Sequence, residues 1–133
     1  MTSMTTELIL LGWTLVLALF QIMLTAGFRS RETGLHYNMG ARDTPAPPMG
    51  RITARLQRAQ ANLFETLPLF AAAVLATHVG GQTGELTLWG SMLYLGARVL
   101  YVPLYAAGVP LVRSLAWVAS IVGLVMVLAA LLA

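Results

Sequence analysis

The sequence has no cysteine and no lysine, and only 10% of its 133 residues are charged. Without cysteine there is no disulfide, no thiolate metal site and no thiol nucleophile carried by the chain, and cysteine usage gives no reading of the redox compartment. Without lysine every basic side chain other than histidine is a guanidinium, which stays charged when desolvated and grips carboxylates through a two-pronged fork. The base composition of a GC-rich gene accounts for the same bias. The two histidines, His36 and His78, fall on opposite sides of an apolar stretch, so they share no metal site and each reads as an interfacial residue. Nothing basic precedes the first apolar run and no small-residue cleavage pattern follows it, so that segment is expected to be retained.

What the chain does have is hydrocarbon. It is 58% hydrophobic with a mean hydropathy of +0.77, and soluble domains carry about 25% charged residues. Uncharged runs from Leu8 to Phe28 and from Ser114 to Ala133 are 21 and 20 residues long, each enough to cross a hydrocarbon core of about 30 Å as a helix. Two intervening stretches of similar length each contain charge. The expectation is an all-α, integral membrane four-helix bundle forming a single domain over 1–133, with spans at about 7–28, 56–79, 86–107 and 111–132.

Arg29, Arg31, Arg42, Arg51 and Arg55 lie in or beside the first connection, whereas the HVGGQTGE turn has no arginine. The positive-inside rule puts the first connection, together with Arg113, on the cytoplasmic side, of the inner membrane if the protein is bacterial. The net charge of +3 then follows topology, and no nucleic-acid partner is implied. Within the first connection TPAPP forbids regular helix. The length of this connection suits a plain linker and a ligand-contacting loop equally.

Two polar stripes interrupt the apolar spans. At about 100° per residue, Arg55, Arg58, Asn62 and Glu65 fall within roughly 80° of arc, and Tyr94, Arg98, Tyr101 and Tyr105 within about 60°. Charges at mid-bilayer cost about 2.5 to 3.5 kcal/mol each on the insertion scale, so both stripes are expected to face protein or a wet cavity. Glu65 and Arg98 lie at similar depth on antiparallel spans, and a buried pair between them, with Asn62 as interhelical glue, is the plain structural reading. The remaining cations, Arg55, Arg58, Arg113 and Arg29 or Arg31, are then left without carboxylates. An anionic guest is implied. A lipid phosphate would satisfy the arginines, but a ligand with carboxylates, an amine and a peptide bond would also use Asn62, Glu65 and the tyrosines. Glutathione has that inventory.

RLQRAQANLFETLPLF, ARVLYVPLY and VPLVRS together resemble the MAPEG family, the membrane-associated proteins in eicosanoid and glutathione metabolism. The R-A-x-x-N-x-x-E-x-x-P core on the second span is the most specific element, and the resemblance covers all four spans. It implies a homotrimer of four-helix subunits with glutathione bound at each subunit interface near the cytoplasmic side, acting on a lipophilic electrophile or peroxide that arrives from the bilayer lipids. By the same resemblance Arg58, Gln60, Asn62 and Glu65 are glutathione contacts, Tyr101 and Tyr105 line the pocket from the third span, and Arg29 reaches in from a neighbouring subunit; Arg98, on the same stripe as the tyrosines, is a further candidate for the binding site. Arg113 is the expected thiolate stabiliser, with Ser114 beside it. The sequence departs from several members in carrying Thr66 where a tyrosine follows the glutamate, and Arg113 is one residue out of register with the leukotriene branch. A non-catalytic membrane scaffold or lipid- or thiol-binding protein of the same fold is the alternative, and it would not need Arg113.

Overall fold

The computed structural model describes residues 4–133, which form five α-helices and, among the described residues, no strand. They are α1 (Thr6–Thr33), α2 (Leu35–Met39), α3 (Arg51–Val79), α4 (Glu85–Ala107) and α5 (Pro110–Leu132). Four of these are long, and a short fifth helix, α2, forms inside the first connection. α1, α3 and α5 are long and apolar enough to cross a membrane. α4 is about 35 Å long at 1.5 Å per residue, but its tyrosines and Arg98 dilute its hydropathy.

On the side of the first connection the helices outrun the limits of the apolar runs. α1 continues to Thr33 and α3 begins at Arg51, since nothing in the polar turns opposes a helix once they leave lipid. α1 stops where Gly34 adopts φ 85° and its N–H bonds to the Ser30 carbonyl. A side chain at that φ would be strained. At its other end α1 is capped by Thr5, whose hydroxyl accepts from the Leu8 N–H at 3.3 Å.

The bundle has an apolar core built on Leu63, Phe70, Val74, Tyr94 and Val127, buries its polar side chains beside that core, and is apolar outside. The buried positions of α1 are Glu7, Leu11, Thr14, Ala18, Gln21 and Thr25, spaced alternately four and three as in a coiled-coil seam. Trp13, Val16, Leu19, Phe20 and Met23 point outward. This is the arrangement expected where lipid is the solvent, because polar groups must find partners within the protein.

Each end of the bundle has a polar tie. At the end away from the first connection, the Thr87 hydroxyl accepts from the Gly84 N–H at 2.8 Å and donates to the buried Glu7 carboxylate at 2.6 Å, joining the starts of α1 and α4. At the other end Glu32 accepts from the Gly50 N–H, the Thr53 hydroxyl and Arg29, at 2.9, 2.8 and 2.9 Å. Arg29 also donates to the Pro47 carbonyl at 2.7 Å. This clasp pulls the extended TPAPP segment back onto α1.

α4 and α5 pack most extensively, and glycine makes their approach possible. A Cβ on Gly90 would lie 2.7 Å from the Gly123 carbonyl oxygen, and one on Gly123 would lie 2.7 Å from the Tyr94 backbone nitrogen. Backbone therefore meets backbone, as small residues permit in membrane helix pairs. Gly123→Ala is expected to push the two helices apart and to destabilise by about 1 to 3 kcal/mol. Gly96→Ala, in the same α4 with nothing within 4 Å of the added methyl, should be neutral or slightly stabilising. Thermal unfolding in mild detergent separates the two, and equal melting temperatures for both variants would contradict the close-contact reading.

Candidate functional site

The site lies where α3, α4 and α5 converge toward the side of the first connection. Tyr94, Arg98, Tyr101 and Tyr105 recur every three or four residues along α4, so they form one face. That face meets α3 at Asn62 and Thr66.

Arg98 is its centre. The guanidinium is 1% exposed and lies between two rings, 4.9 Å from the Tyr101 centroid and 5.8 Å from that of Tyr94. Its Nη2 donates to the Thr66 hydroxyl at 3.0 Å and to the Asn62 carbonyl at 3.2 Å. Thr66 also shares a 2.8 Å hydrogen bond with the Tyr94 hydroxyl, and the Tyr94 ring stacks on Phe70 at 4.0 Å. Ring faces and hydroxyls thus replace water around a cation.

The expected Glu65 to Arg98 pair does not form. Among the described residues the one ion pair is Arg29 with Glu32, and Glu65 is exposed on the outer face of α3. Asn62 and Thr66, one turn apart, direct a carbonyl and a hydroxyl at Arg98, whereas Glu65 projects on the far side of Asn62. Arg98 Nε and Nη1 and Asn62 Oδ1 are left buried with no partner among the described residues. Buried polar atoms are almost always satisfied, so these three mark a part of the interior with hydrogen-bonding capacity to spare.

Above this centre is a cavity of about 490 Å³ lined by Asn62, Tyr101, Tyr105, Arg113, Ser114 and Trp117, among others. Tyr101 and Tyr105 meet edge to face at 5.5 Å. Arg113 stands 4.7 Å from the Tyr105 centroid and Arg58 5.7 Å from it, and Arg58 Nε donates to the Tyr105 hydroxyl at 3.1 Å. Two guanidiniums on one ring, with a third beneath, make the mouth strongly positive. The Ser114 hydroxyl donates to the Pro110 carbonyl at 3.0 Å, which leaves its lone pairs to accept.

Of the residues expected from the sequence, Asn62, Tyr101, Tyr105, Arg113 and Ser114 come together in the cavity, with Arg58 at its rim and Arg98 below. Gln60 and Glu65 are not in its lining. Arg29 lies elsewhere in the chain, held by Glu32 and Pro47, so it is not an unpaired surplus cation. Arg55 donates to the Ala106 carbonyl at 3.3 Å and so caps the negative end of α4, a neutral partner that leaves its charge without a carboxylate. Two participants escaped sequence reasoning. Trp117 follows Arg113 by one turn, a spacing that would have placed it on the same face. Thr66 was noted only as a departure, although a threonine four residues after Asn62 is well placed to share its partner.

Thr66→Val keeps the shape but removes the hydroxyl, leaving Arg98 Nη2 and the Tyr94 hydroxyl short of a partner. A loss of about 1 to 3 kcal/mol is expected, read as a lowered melting temperature in detergent, with Thr66→Ser close to the parent. If the valine variant melts with the parent, Thr66 does not hold Arg98.

The model of the MAPEG family matches the chain over residues 8–133. Comparison with curated proteins finds no match.

Proposed function

The chain belongs to the MAPEG family and, with three helices long and apolar enough to cross a membrane, is an integral membrane protein; from that premise we propose that it is a glutathione-dependent enzyme that transfers glutathione to, or reduces with it, a lipophilic electrophile or peroxide. The observation that carries this reading is the buried Arg98, with two nitrogens unmatched beside the unmatched Asn62 oxygen, under a cavity ringed by Arg58 and Arg113. The residues present fit the tripeptide: guanidiniums suit its carboxylates, Asn62 its amide groups, and the tyrosines supply stacking faces and hydroxyls.

Glutathione supplies a thiol nucleophile, which a chain without cysteine does not have. Arg113 provides fixed positive charge on the cavity wall, and a cation lowers the pKa of a thiol held beside it. Ser114 keeps lone pairs to accept a hydrogen bond. Arg98, whose low-dielectric surroundings strengthen hydrogen bonds, and Arg58 at the rim would hold the carboxylates of the tripeptide. Trp117 and Val118 carry the wall out to the exposed face of α5, which gives an apolar substrate a route from lipid.

The same reading takes α4 as a fourth span, since its one mid-helix charge, Arg98, faces inward. It takes the assembly as a homotrimer, because Arg58 and Glu65 are exposed on α3 and charges at membrane depth require cover. It puts the arginine-rich connection in the cytoplasm. Native mass spectrometry in mild detergent is expected to give a trimer, and an active stable monomer would contradict that part.

Calorimetry with glutathione is expected to show saturable binding, and no binding at millimolar ligand would leave only a scaffold. Arg113→Ala should bind glutathione with little loss but raise the pKa of the bound thiol. A shift of one unit, about 1.4 kcal/mol, would lower the rate about tenfold at pH values below that pKa. Thiolate absorbance followed against pH in both proteins reads the shift directly. Superimposable titrations would remove Arg113 from the mechanism.

A further inference from the structure

On another face of the bundle, away from the Tyr105 cavity, α1 and α4 part toward the side of the first connection and leave an apolar groove of about 450 Å³. Phe20, Leu24 and Phe28 of α1 form one wall, Val99 and Pro103 of α4 the other, and Leu56 of α3 the floor. Along α1 the groove runs from Leu17 to Phe28, about 16 Å at 1.5 Å per residue. That is half of a hydrocarbon core of about 30 Å, the depth of one leaflet.

The mouth of this groove is cationic on every side. Arg31 lies 5.7 Å from the centroid of the Phe28 ring. Arg51 shares a second hollow with Phe28 and Ile52, both of which also line the groove. Arg55 donates to the carbonyl of Ala106, a further lining residue. The one nearby carboxylate, Glu32, is engaged by Arg29, the Gly50 N–H and Thr53, so it does not neutralise the three.

We propose that this groove is a binding site for an anionic phospholipid of the leaflet beside the first connection, one acyl chain lying between α1 and α4 and the phosphate among Arg31, Arg51 and Arg55. A second copy of the chain is a poor match for the same place. The sequence has only five acidic residues: Glu7 and Glu85 are at the opposite end, Glu32 is engaged, and Glu65 lies well inside α3. Asp43 alone remains to face three guanidiniums. An anionic lipid brings its own charge at that depth, and arginines near the membrane surface attract such headgroups. None of the groove residues belongs to the proposed glutathione cavity, so this site stands or falls independently of that activity.

The test is native mass spectrometry of the full chain released from nanodiscs containing equal amounts of phosphatidylglycerol and phosphatidylcholine. The parent is expected to retain one phosphatidylglycerol per subunit and little phosphatidylcholine. Arg31→Gln with Arg51→Gln should reduce that preference about thirty-fold, at about fivefold per arginine, with the oligomer intact. Val99→Trp, which fills the groove without touching the arginines, should abolish retention of either lipid. Equal retention of the two lipids by the parent, or an unchanged preference in the double variant, would overturn the proposal. Dissociation of the oligomer by Val99→Trp would overturn it in favour of a second copy in the groove.

Discussion

The guanidinium of Arg98 is enclosed between two tyrosine rings with no carboxylate beside it, and the arrangement of α3 and α4 follows from keeping it there. A charge in the interior of a membrane protein is tolerated only where protein groups replace its hydration. Thr66 and the Asn62 carbonyl supply two of those groups, and the rings supply their negative faces. Tyr94 is in turn fixed by Thr66 and by stacking on Phe70. The depth and rotation of α4 against α3 are set by these contacts. Asn62 and Tyr101, which touch Arg98, also line the cavity, so the feature that aligns the helices also brings positive charge next to it.

The remaining helices support this pair in two ways. α5 is held against α4 by a backbone-to-backbone approach at Gly90 and Gly123, which carries Arg113, Ser114 and Trp117 to the cavity wall as a unit. α1 is tied at both ends, by Glu7 to Thr87 and by Glu32 to Gly50 and Thr53. Between those ties it diverges from α4, and the apolar groove is the result. The bundle therefore offers two openings of opposite character. The α5 side is polar and cationic, suited to a small anionic peptide. The α1 side is apolar with a cationic rim, suited to an amphiphile.

The exposed charges on α3 belong to the same logic. Arg58 and Glu65 face outward from a helix of membrane-spanning length and composition, a position that lipid does not stabilise. The proposed trimer would turn these residues from a liability into an interface.

The polar stripes of α3 and α4 were legible in the sequence because helical periodicity alone puts Asn62 on one face and Arg98, Tyr101 and Tyr105 on another. Arg113 and Ser114 were legible through their place beside the turn that starts α5. The positions of Arg29, Arg55 and Glu65 were not, because a helical angle fixes the direction in which a side chain leaves its helix and says nothing of which group is in reach. Glu32 captured Arg29 through a fold of the first connection, and the Ala106 carbonyl captured Arg55. Thr66 took the place assigned to Glu65 because the rotation of α4 about α3 brings Arg98 to one side of Asn62 and not the other. The sequence by itself thus determined an all-helical membrane chain and which faces carry charge, since both depend on local hydropathy and period. Only the tertiary structure decided which charges are paired and which are left for a ligand, because pairing depends on helix rotation and on distances of a few ångströms that no spacing encodes.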